Sequence, residues 1–463
     1  MPAIHPDGPW LGDACSLVEA FRAGERSPGE ELEATLAAID ATELNCFAFV
    51  DPDGARNAAA AADVSQPFGG VPLAIKELDP VAGWPLTEAS LVFADRMAGY
   101  DSTMVSRLKA AGVTPVGQST ASEFGGLNVG VTKLHGVTGN PWDPTRTPGG
   151  SSGGSASAVA GGLVTIASGG DGGGSIRIPA AFCGLVGMKG TAGRIPRGPH
   201  ALIAPLTVVV GCLARSVRDV ARWYDVCSGY DSRDPYSLPR IDGWEAGLGT
   251  HDLRGKRAVI APTLGSAIVR PEVAAAVVTA GEALAGDVGL ELIDLPVKLP
   301  GLGMEWAMAN LAGLCLALGD LYPDCAEDLT TEIQFGMHLA SEMFDLPMAA
   351  KGEGARTIAN EAMAAVFDDV DLIICATNPD VAFPADVSLN TRVGDLVVGA
   401  ENNGALTIPA NITGNPAISV PVEPVDGLPV GMQLIGRHHD DAFLLDLARV
   451  VEQQRPWPLV APA

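Results

Sequence analysis

The sequence predicts an α/β fold in which helices cover both faces of a central sheet. Strand and helix patterns alternate along the chain, as in the strand at 71–75, the helix at 102–111 and the strand at 114–117. This β–α–β rhythm places helices on the faces of a sheet. The chain has 463 residues, of which 47% are hydrophobic, and such a chain can bury a large core.

The elements of the first half are recognised by helix caps and apolar spacing. Ser27-Pro28-Gly29-Glu30 is a capping box with proline at the first helical position, so it predicts a helix start. In chain order we expect helices at 14–23 and 28–40, a strand at 71–75, a helix at 102–111, a strand at 114–117, a helix at 156–160 and a buried strand at 163–167.

The second half begins with another predicted capping box, Ser216-Val217-Arg218-Asp219, which opens a helix to about Cys227. The apolar stretch 304–319 contains Glu305 and is shorter than the roughly 20 apolar residues that cross a bilayer, so we expect a buried helix there. The remaining predicted elements are a strand at 257–261, a helix at 271–284, strands at 370–376, 417–422 and 430–435, and a helix at 441–453.

Charge and composition narrow the classes of function. The chain has 29 Lys and Arg against 55 Asp and Glu, a net charge of −26, which disfavours nucleic-acid and anionic-membrane partners. The eight cysteines are scattered, without a Cys-x-x-Cys pair or a Cys/His cluster at zinc spacing. The first residues show no signal-peptide pattern. We therefore expect a cytoplasmic protein that uses no metal and no other cofactor.

Two glycine-rich loops, GGSSGG and GGDGGGS, lie within residues 148–180. Glycine lets the backbone approach a ligand closely. In the second loop Gly172, Gly173 and Gly174 run directly into Ser175. Three consecutive amides beside a hydroxyl suit a nucleophile with its own oxyanion hole, because the amides can face the charge that develops on an attacked carbonyl oxygen.

A serine nucleophile needs a base, and no histidine lies inside this stretch. Lys76 ends the apolar, strand-like run GVPLAIK. Burial disfavours the charged form of a lysine, so it lowers the pKa and leaves a neutral amine that can take a proton. The alternative is a structural lysine paired with Glu77 or Asp79.

Four motifs follow one another in the chain: GVPLAIK, TPGGSSGGSA, GGDGGGSIRIPA and GLVGMKGTAGRIP. Together they resemble the amidase signature family. The dense part of the resemblance covers about 68–196, and a weaker part at 414–445 reads GNPAISVPV and then GLPVGMQLIGRHHDDAFLL. The spacings of 75 residues from Lys76 to Ser151 and 24 from Ser151 to Ser175 agree with the family's Ser–cis-Ser–Lys triad.

The resemblance also implies an architecture. We expect a single domain over 1–463 with a central mixed sheet of about eleven strands. An N-terminal helical arm would cover about 10–60, and a variable region at about 285–400 would help to form the substrate pocket.

The resemblance implies that Ser175 is the nucleophile, Ser151 the bridging serine after a cis peptide bond, and Lys76 the base. We expect these three side chains to form one hydrogen-bonded chain. The oxyanion would be held by the four backbone N–H groups from Gly172 to Ser175. The sequence departs from the family's pattern at Gly172, where threonine is usual, and at Glu77, where aspartate is more usual.

Five further residues are implied to support the site. Ser152 would hydrogen-bond to the triad from behind. Asp171 and Arg177 would brace the nucleophile loop as a charge pair. Gly125 and Gly126 match a family loop that lines the substrate pocket.

The implied function is hydrolysis of the C–N bond of a small-molecule amide through a Ser175 acyl-enzyme. Apolar side chains in 300–350, Trp306 among them, favour a hydrophobic acyl or aryl group, as in the aryl-acylamidase, cyclic-oligoamide and urethane-cleaving (carbamate) members. An alternative is the glutaminase subunit of an amidotransferase, which works in a complex with charged tRNA. The net charge of −26 disfavours this alternative. An inactive family member is disfavoured because the triad residues are present. A homodimer remains open.

A competing interpretation starts from the segment at 150–154, which also fits G-x-S-x-G, the nucleophile elbow of α/β-hydrolases. It would make Ser152 the nucleophile and would require an Asp and a His downstream, such as His438. The glycine loops do not predict a phosphate site, because G-x-x-x-x-G-K-[ST] is not found in the sequence.

Overall fold

A mixed sheet of eleven strands forms the centre of this computed structural model, which describes residues 8–200 and 206–462. The described strands are β1 Phe47–Val50, β2 Pro72–Lys76, β3 Thr114–Ser119, β4 Val131–Thr132, β5 Gly136–Val137, β6 Ile166–Asp171, β7 Val186–Lys189, β8 Val209–Ala214, β9 Arg257–Ile260, β10 Glu291–Leu292, β11 Leu372–Ala376, β12 Arg392–Val393, β13 Leu396–Val397, β14 Ala417–Val425 and β15 Leu428–Gly436. The described helices are α1 Ala14–Ala23, α2 Pro28–Ala41, α3 Pro52–Ala60, α4 Thr103–Ala110, α5 Gly153–Ala160, α6 Arg177–Cys183, α7 Val217–Cys227, α8 Pro271–Val288, α9 Gly303–Leu318, α10 Thr331–Met343, α11 Leu346–Asp369, α12 Ile408–Thr413 and α13 Asp441–Gln454.

The strand order of the sheet is β1-β3-β2-β6-β8-β7-β14-β15-β11-β9-β10. Strand β2 is parallel to both of its neighbours, β3 and β6, whereas β6 is antiparallel to β8. The pairs β4–β5 and β12–β13 form separate two-stranded sheets. The predicted α/β class and the eleven-stranded mixed sheet are confirmed, while the division into a single domain stays a prediction.

Apolar side chains fill both faces of the sheet. Along β2, Leu73 and Ile75 belong to one buried cluster and Ala74 to another, as expected because successive strand side chains point to opposite faces. The first cluster contains residues of α1, α4, α7, α8 and α13, and the second contains residues of α2, α3, α5 and α6. Helices therefore cover both faces, as predicted.

The two predicted capping boxes have different outcomes. At α2 both halves form: the Ser27 N–H donates to Glu30, and the Glu30 N–H donates to Ser27 Oγ. At α7 only the serine half forms, because the Asp219 carboxylate accepts the N–H groups of Ala14 and Cys15, each at 2.9 Å. A tertiary contact with the start of α1 therefore replaces the local hydrogen bond.

Some local predictions need correction. Strand β6 covers Ile166–Asp171 rather than 163–167, and α5 begins at Gly153 rather than at residue 156. Helix α9 forms as predicted but is only partly buried: Met308, Leu314 and Leu318 are buried, whereas Met304 is 62% and Leu316 is 69% exposed. Six of the eight cysteines are buried, Cys315 is exposed and Cys325 is intermediate. Over the two described ranges, no helix combines the length and the apolar character needed to cross a membrane.

The first turn of α5 packs tightly against the end of β3. The Gly154 N–H donates to the Thr120 carbonyl at 3.0 Å. A Cβ on Gly154 would lie 2.3 Å from Thr120 Oγ1 and 2.6 Å from the Cys46 carbonyl oxygen. At Gly153 the nearest contact would be Pro148 Cγ at 3.2 Å. Close packing therefore places the start of α5, and the serines just before it, against the sheet.

We predict that Gly154→Ala lowers the free energy of unfolding by about 1–3 kcal/mol, the usual cost of overpacking. Gly153→Ala is the matched control on the same turn. Because alanine favours a helix over glycine by about 1 kcal/mol, the control should be neutral or slightly stabilising. Urea unfolding of both variants measures the difference, and equal stabilities would contradict the close packing of α5.

Candidate active site

Strand β2 carries Lys76 into the interior, where its side chain is only 2% exposed. Its Nζ lies 2.7 Å from Ser151 Oγ and 2.9 Å from Ser152 Oγ. The neighbouring carboxylates bond elsewhere: Glu77 accepts the Ala121 N–H, and Asp79 accepts the hydroxyl of Ser168. The amine therefore meets two hydroxyls, and the alternative of a lysine hydrogen-bonded to Glu77 or Asp79 is not what the structure shows.

Burial sets the proton affinity of this amine. Desolvation lowers the pKa of Lys76 to about 8, against the opposing attraction of Asp79 and Asp171, which raises it. A neutral lysine amine in contact with a hydroxyl can accept its proton. The site therefore holds a group that can work as a base at mildly alkaline pH.

The first glycine-rich loop places Ser151 beside this amine. The Gly150–Ser151 peptide bond is cis, and the side chain of Ser151 is buried. Gly125 lies against it, since a Cβ on Gly125 would be 3.3 Å from Ser151 Oγ. A Cβ on Gly126 would instead be 2.7 Å from Ile333 Cδ1 of α10. The cis bond and the Lys76–Ser151 contact agree with the geometry expected from the resemblance.

Ser175 lies in the turn between the end of β6 and the start of α6 and is partly exposed. Its backbone carbonyl accepts the N–H of Ser152 at 3.2 Å. Within residues 8–200 and 206–462, its hydroxyl makes no hydrogen bond. The structure thus contains the first link of the expected hydrogen-bonded chain, from Lys76 to Ser151, but not the second link to Ser175. A partly exposed hydroxyl keeps its hydrogen-bonding capacity for solvent or a substrate.

The amides of the loop before Ser175 divide into two kinds. The Gly174 N–H donates to Asp171 Oδ1 at 2.8 Å, so it is not free for an oxyanion, and this corrects the expectation of four equivalent donors. The N–H groups of Gly172, Gly173 and Ser175 have no acceptor among the described residues. Three amides therefore remain available to a ligand.

A buried ion pair connects the two ends of this loop. Arg177 Nε donates to Asp171 Oδ2 at 2.9 Å, and both side chains are 0% exposed. Burial by itself would raise the pKa of Asp171, but the charge and hydrogen bonds of Arg177, with a hydrogen bond from Asn411, outweigh it and hold the pKa well below its usual value. The expected charge pair is therefore present and ionised.

Residues that the sequence did not single out complete this network. Arg177 also donates to Gln433 Oε1 of β15 and to Asn411 Oδ1 of α12. The Asn411 amide donates to the backbone carbonyl of Asp171 at 2.9 Å. Thr407 Oγ1 donates to the Gly173 carbonyl. These residues lie more than 200 positions from the loop, so no local pattern could have placed them there.

The nucleophile-elbow interpretation does not fit this geometry. Ser152 is 0% exposed, and its hydroxyl contacts Lys76 and the Gly170 backbone. His438 Nε2 is hydrogen-bonded to the Thr413 carbonyl. A fully buried hydroxyl that is bound to a lysine does not match the exposed nucleophile that an elbow presents to a substrate.

Comparison with known proteins agrees with the motifs. The family model described as Amidase matches residues 30–445. The chain belongs to the amidase signature family. A glutamyl-tRNA(Gln) amidotransferase subunit from Chloroflexus aurantiacus is 35% identical over 479 residues, with 96% of each chain covered. The resemblance is therefore confirmed, and the chain is an amidase signature enzyme, a member of a family of amide hydrolases.

Two solved amidase-family structures allow a comparison of shape. A bacterial aryl acylamidase of the amidase signature family superimposes with a TM-score of 0.90 at 26% identity, covering 98% of this chain and 99% of the other. The corresponding glutamyl-tRNA(Gln) amidotransferase subunit from Thermotoga maritima gives a TM-score of 0.76 at 26% identity, with 94% of each chain covered. At equal identity, the fold is more similar to the acylamidase.

We predict that Asp171→Asn lowers the free energy of unfolding by about 3–5 kcal/mol, because it leaves the charge of Arg177 buried without a partner. Asp143→Asn is the matched control, since Asp143 and Arg146 form an ion pair in which both side chains are more than a third exposed. Exposed pairs contribute about 0–1 kcal/mol. Denaturant unfolding of both variants measures the contrast, and a small loss for Asp171→Asn would contradict the bracing role of the pair.

Proposed function

We propose that this amidase-family enzyme hydrolyses the C–N bond of a neutral amide through an acyl-enzyme on Ser175, with Lys76 as base and Ser151 as relay. The observation that carries the proposal is the 2.7 Å contact between the buried Lys76 amine and Ser151. A second observation supports it: the partly exposed Ser175 is flanked by amides that are free to bind an oxyanion.

The reaction follows from these groups. As a substrate binds, the Ser175 hydroxyl passes its proton to Ser151, whose own proton goes to the neutral Lys76 amine. Ser175 Oγ attacks the carbonyl carbon, and the resulting oxyanion accepts hydrogen bonds from Gly172, Gly173 and Ser175 N–H. The C–N bond breaks as the amine nitrogen takes a proton back through Ser151. Water then attacks the acyl carbon and gives its proton through Ser151 to Lys76, the bond between the acyl carbon and Ser175 Oγ breaks, and the proton returns through Ser151 to Ser175 as the acid leaves.

The other expected site residues have supporting roles in this reaction. Ser152 holds the Lys76 amine from behind, and Asp171 with Arg177 braces the loop. Gly174 shapes the loop rather than binding the oxyanion. The proposed reaction uses no metal or cofactor, and the net charge of −26 supports a small-molecule substrate rather than nucleic acid. Cytoplasmic location and a homodimer stay predictions.

We infer that the substrate carries a hydrophobic acyl or aryl group, as in aryl amides or carbamates. Apolar side chains surround the nucleophile loop: a Cβ on Gly173 would lie 2.8 Å from Trp306 Cζ2 and 3.3 Å from Ile408 Cγ1. Ile333 packs against Gly126 in the same way. The higher structural similarity to an aryl acylamidase supports this substrate class.

A second candidate is the glutaminase subunit of an amidotransferase. It is favoured by one observation, the 35% identity over nearly the whole chain to a protein named as an amidotransferase subunit. In that case the substrate would be glutamine, and the enzyme would work in a complex with a partner protein. The apolar surroundings of the loop favour the first candidate.

We predict that the purified protein alone hydrolyses p-nitroacetanilide or a phenyl carbamate and leaves glutamine unchanged. Ser175→Ala should lower turnover by about 10⁴-fold or more, because it removes the nucleophile, and should remain folded in a thermal melt. Colour release and amine detection measure the products. Faster hydrolysis of glutamine than of the anilide would decide for the second candidate. Activity retained in Ser175→Ala but lost in Ser152→Ala would assign the nucleophile to Ser152.

We predict that kcat/KM rises about tenfold per pH unit below about 8 and levels off above it, because only the neutral Lys76 amine accepts a proton. Rates between about pH 6 and about pH 10 measure the profile. Lys189→Met is the control, since it removes another buried lysine whose pKa burial lowers to about 7. The midpoint should stay near 8 in this variant. A midpoint that disappears with Lys189 would contradict the assignment of Lys76.

A further inference from the structure

Every backbone carbonyl from Asp171 to Gly174 has a hydrogen-bond donor. Three of these donors are side chains and the fourth is a backbone N–H in the turn that opens α6. The bonds are Asn411 Nδ2 to Asp171 O at 2.9 Å, Trp306 Nε1 to Gly172 O at 2.7 Å, Thr407 Oγ1 to Gly173 O at 2.6 Å and Ile178 N to Gly174 O at 2.7 Å. Four anchored carbonyls therefore lie directly before the partly exposed Ser175.

Peptide geometry connects these bonds to the amides. In a trans peptide the C=O of one residue and the N–H of the next lie in one plane and point in opposite directions. The peptide bonds of this loop are not among the cis bonds of the described chain. A donor that holds the Gly172 carbonyl therefore also fixes the direction of the Gly173 N–H. The same argument links the Gly173 carbonyl to the Gly174 N–H, which is bound to Asp171.

The two side chains on either side of Gly173 come from outside the signature motifs. Trp306 lies in the first turns of α9, and its ring packs on Gly173. Thr407 is 0% exposed and directly precedes α12. Gly174 leaves room for it: its φ is +126°, and a Cβ there would lie 2.5 Å from Thr407 Oγ1. The loop is thus shaped to receive both donors.

We propose that Trp306 and Thr407 are positioning residues that together orient the Gly173 amide toward the oxyanion. The inference rests on the proposed function, because it assigns them to the reaction at Ser175. Trp306 fixes the peptide plane before Gly173, and Thr407 fixes the plane after it. Neither side chain bonds to the reacting atoms. Their effect is to keep a donor preorganised, which is the property that makes oxyanion holes effective.

The expected signature is a loss of transition-state stabilisation without a loss of substrate binding. Removal of an oxyanion donor costs about 10²–10³ in kcat, and a donor that is only less well held should cost less, about tenfold. KM for an anilide substrate should change little in Thr407→Val, because the hydroxyl faces a backbone carbonyl rather than the pocket. Affinity for phenylboronic acid, which forms a tetrahedral adduct with a serine hydroxyl, should fall in parallel with kcat/KM.

The test compares matched variants of the full chain. Thr407→Val removes the hydroxyl at constant shape, and Thr407→Ser keeps it. Trp306→Phe removes the indole N–H and keeps an aromatic ring. Its control is Trp457→Phe, because the indole of Trp457 donates to the Arg215 carbonyl, outside the loop. The measurements are kcat and KM for p-nitroacetanilide, inhibition by phenylboronic acid, the pH profile and the thermal midpoint.

We expect kcat about tenfold lower in Thr407→Val and Trp306→Phe, with the pH midpoint unchanged and both controls within about twofold of the parent. If Thr407→Val does not fold, the comparison of Trp306→Phe with Trp457→Phe tests the positioning role by itself. Parent-like kcat and boronate inhibition in Trp306→Phe and Thr407→Val, with Ser175→Ala inactive, would overturn the positioning role alone. Turnover that survives Ser175→Ala would overturn the proposed function together with it.

Discussion

The buried ion pair between Asp171 and Arg177 is the interaction on which the site depends. A guanidinium that is 0% exposed is stable only when its charge is paired and its N–H groups have acceptors. Arg177 meets this requirement with Asp171 at the end of β6, Gln433 in β15, and Asn411 in α12. The pair therefore ties three elements to the short loop that carries Ser175, and it holds that loop at both ends.

The charge of Lys76 is treated in the opposite way. Lys76 is also buried, yet among the described residues its amine contacts two hydroxyls and no carboxylate. Asp79 and Glu77 lie close in sequence but accept hydrogen bonds from Ser168 and Ala121. Because desolvation is only partly offset, the pKa of Lys76 falls to about 8. One charge is fully paired to hold a loop, and the other is left free to gain and lose a proton.

The signature motifs supply the lysine, the serines and the glycine loops. The residues that surround these loops come from other parts of the chain. Trp306 of α9 and Ile333 of α10 pack on glycines of the site, and Thr407 and Asn411 hold its carbonyls. Glycine is required at Gly173 and Gly174 because a Cβ would collide with these neighbours. Helices α9 and α10 are thus in direct contact with glycine-containing loops of the site, so a change in one reaches the other.

The sequence by itself determined the α/β class, eight of the thirteen described helices and seven of the fifteen described strands to within a few residues, and the motifs whose residues meet in the site. These are local properties, since caps, apolar periodicity and glycine runs act over a few positions. Only the tertiary structure decided that Asp219 caps α1, that Gly174 donates to Asp171, and that α9 is only partly buried. It also decided which residues anchor the loop, because Trp306, Thr407 and Asn411 lie 134 to 240 positions from their partners. Contacts at that separation depend on how the sheet and helices pack, and a local pattern does not encode them.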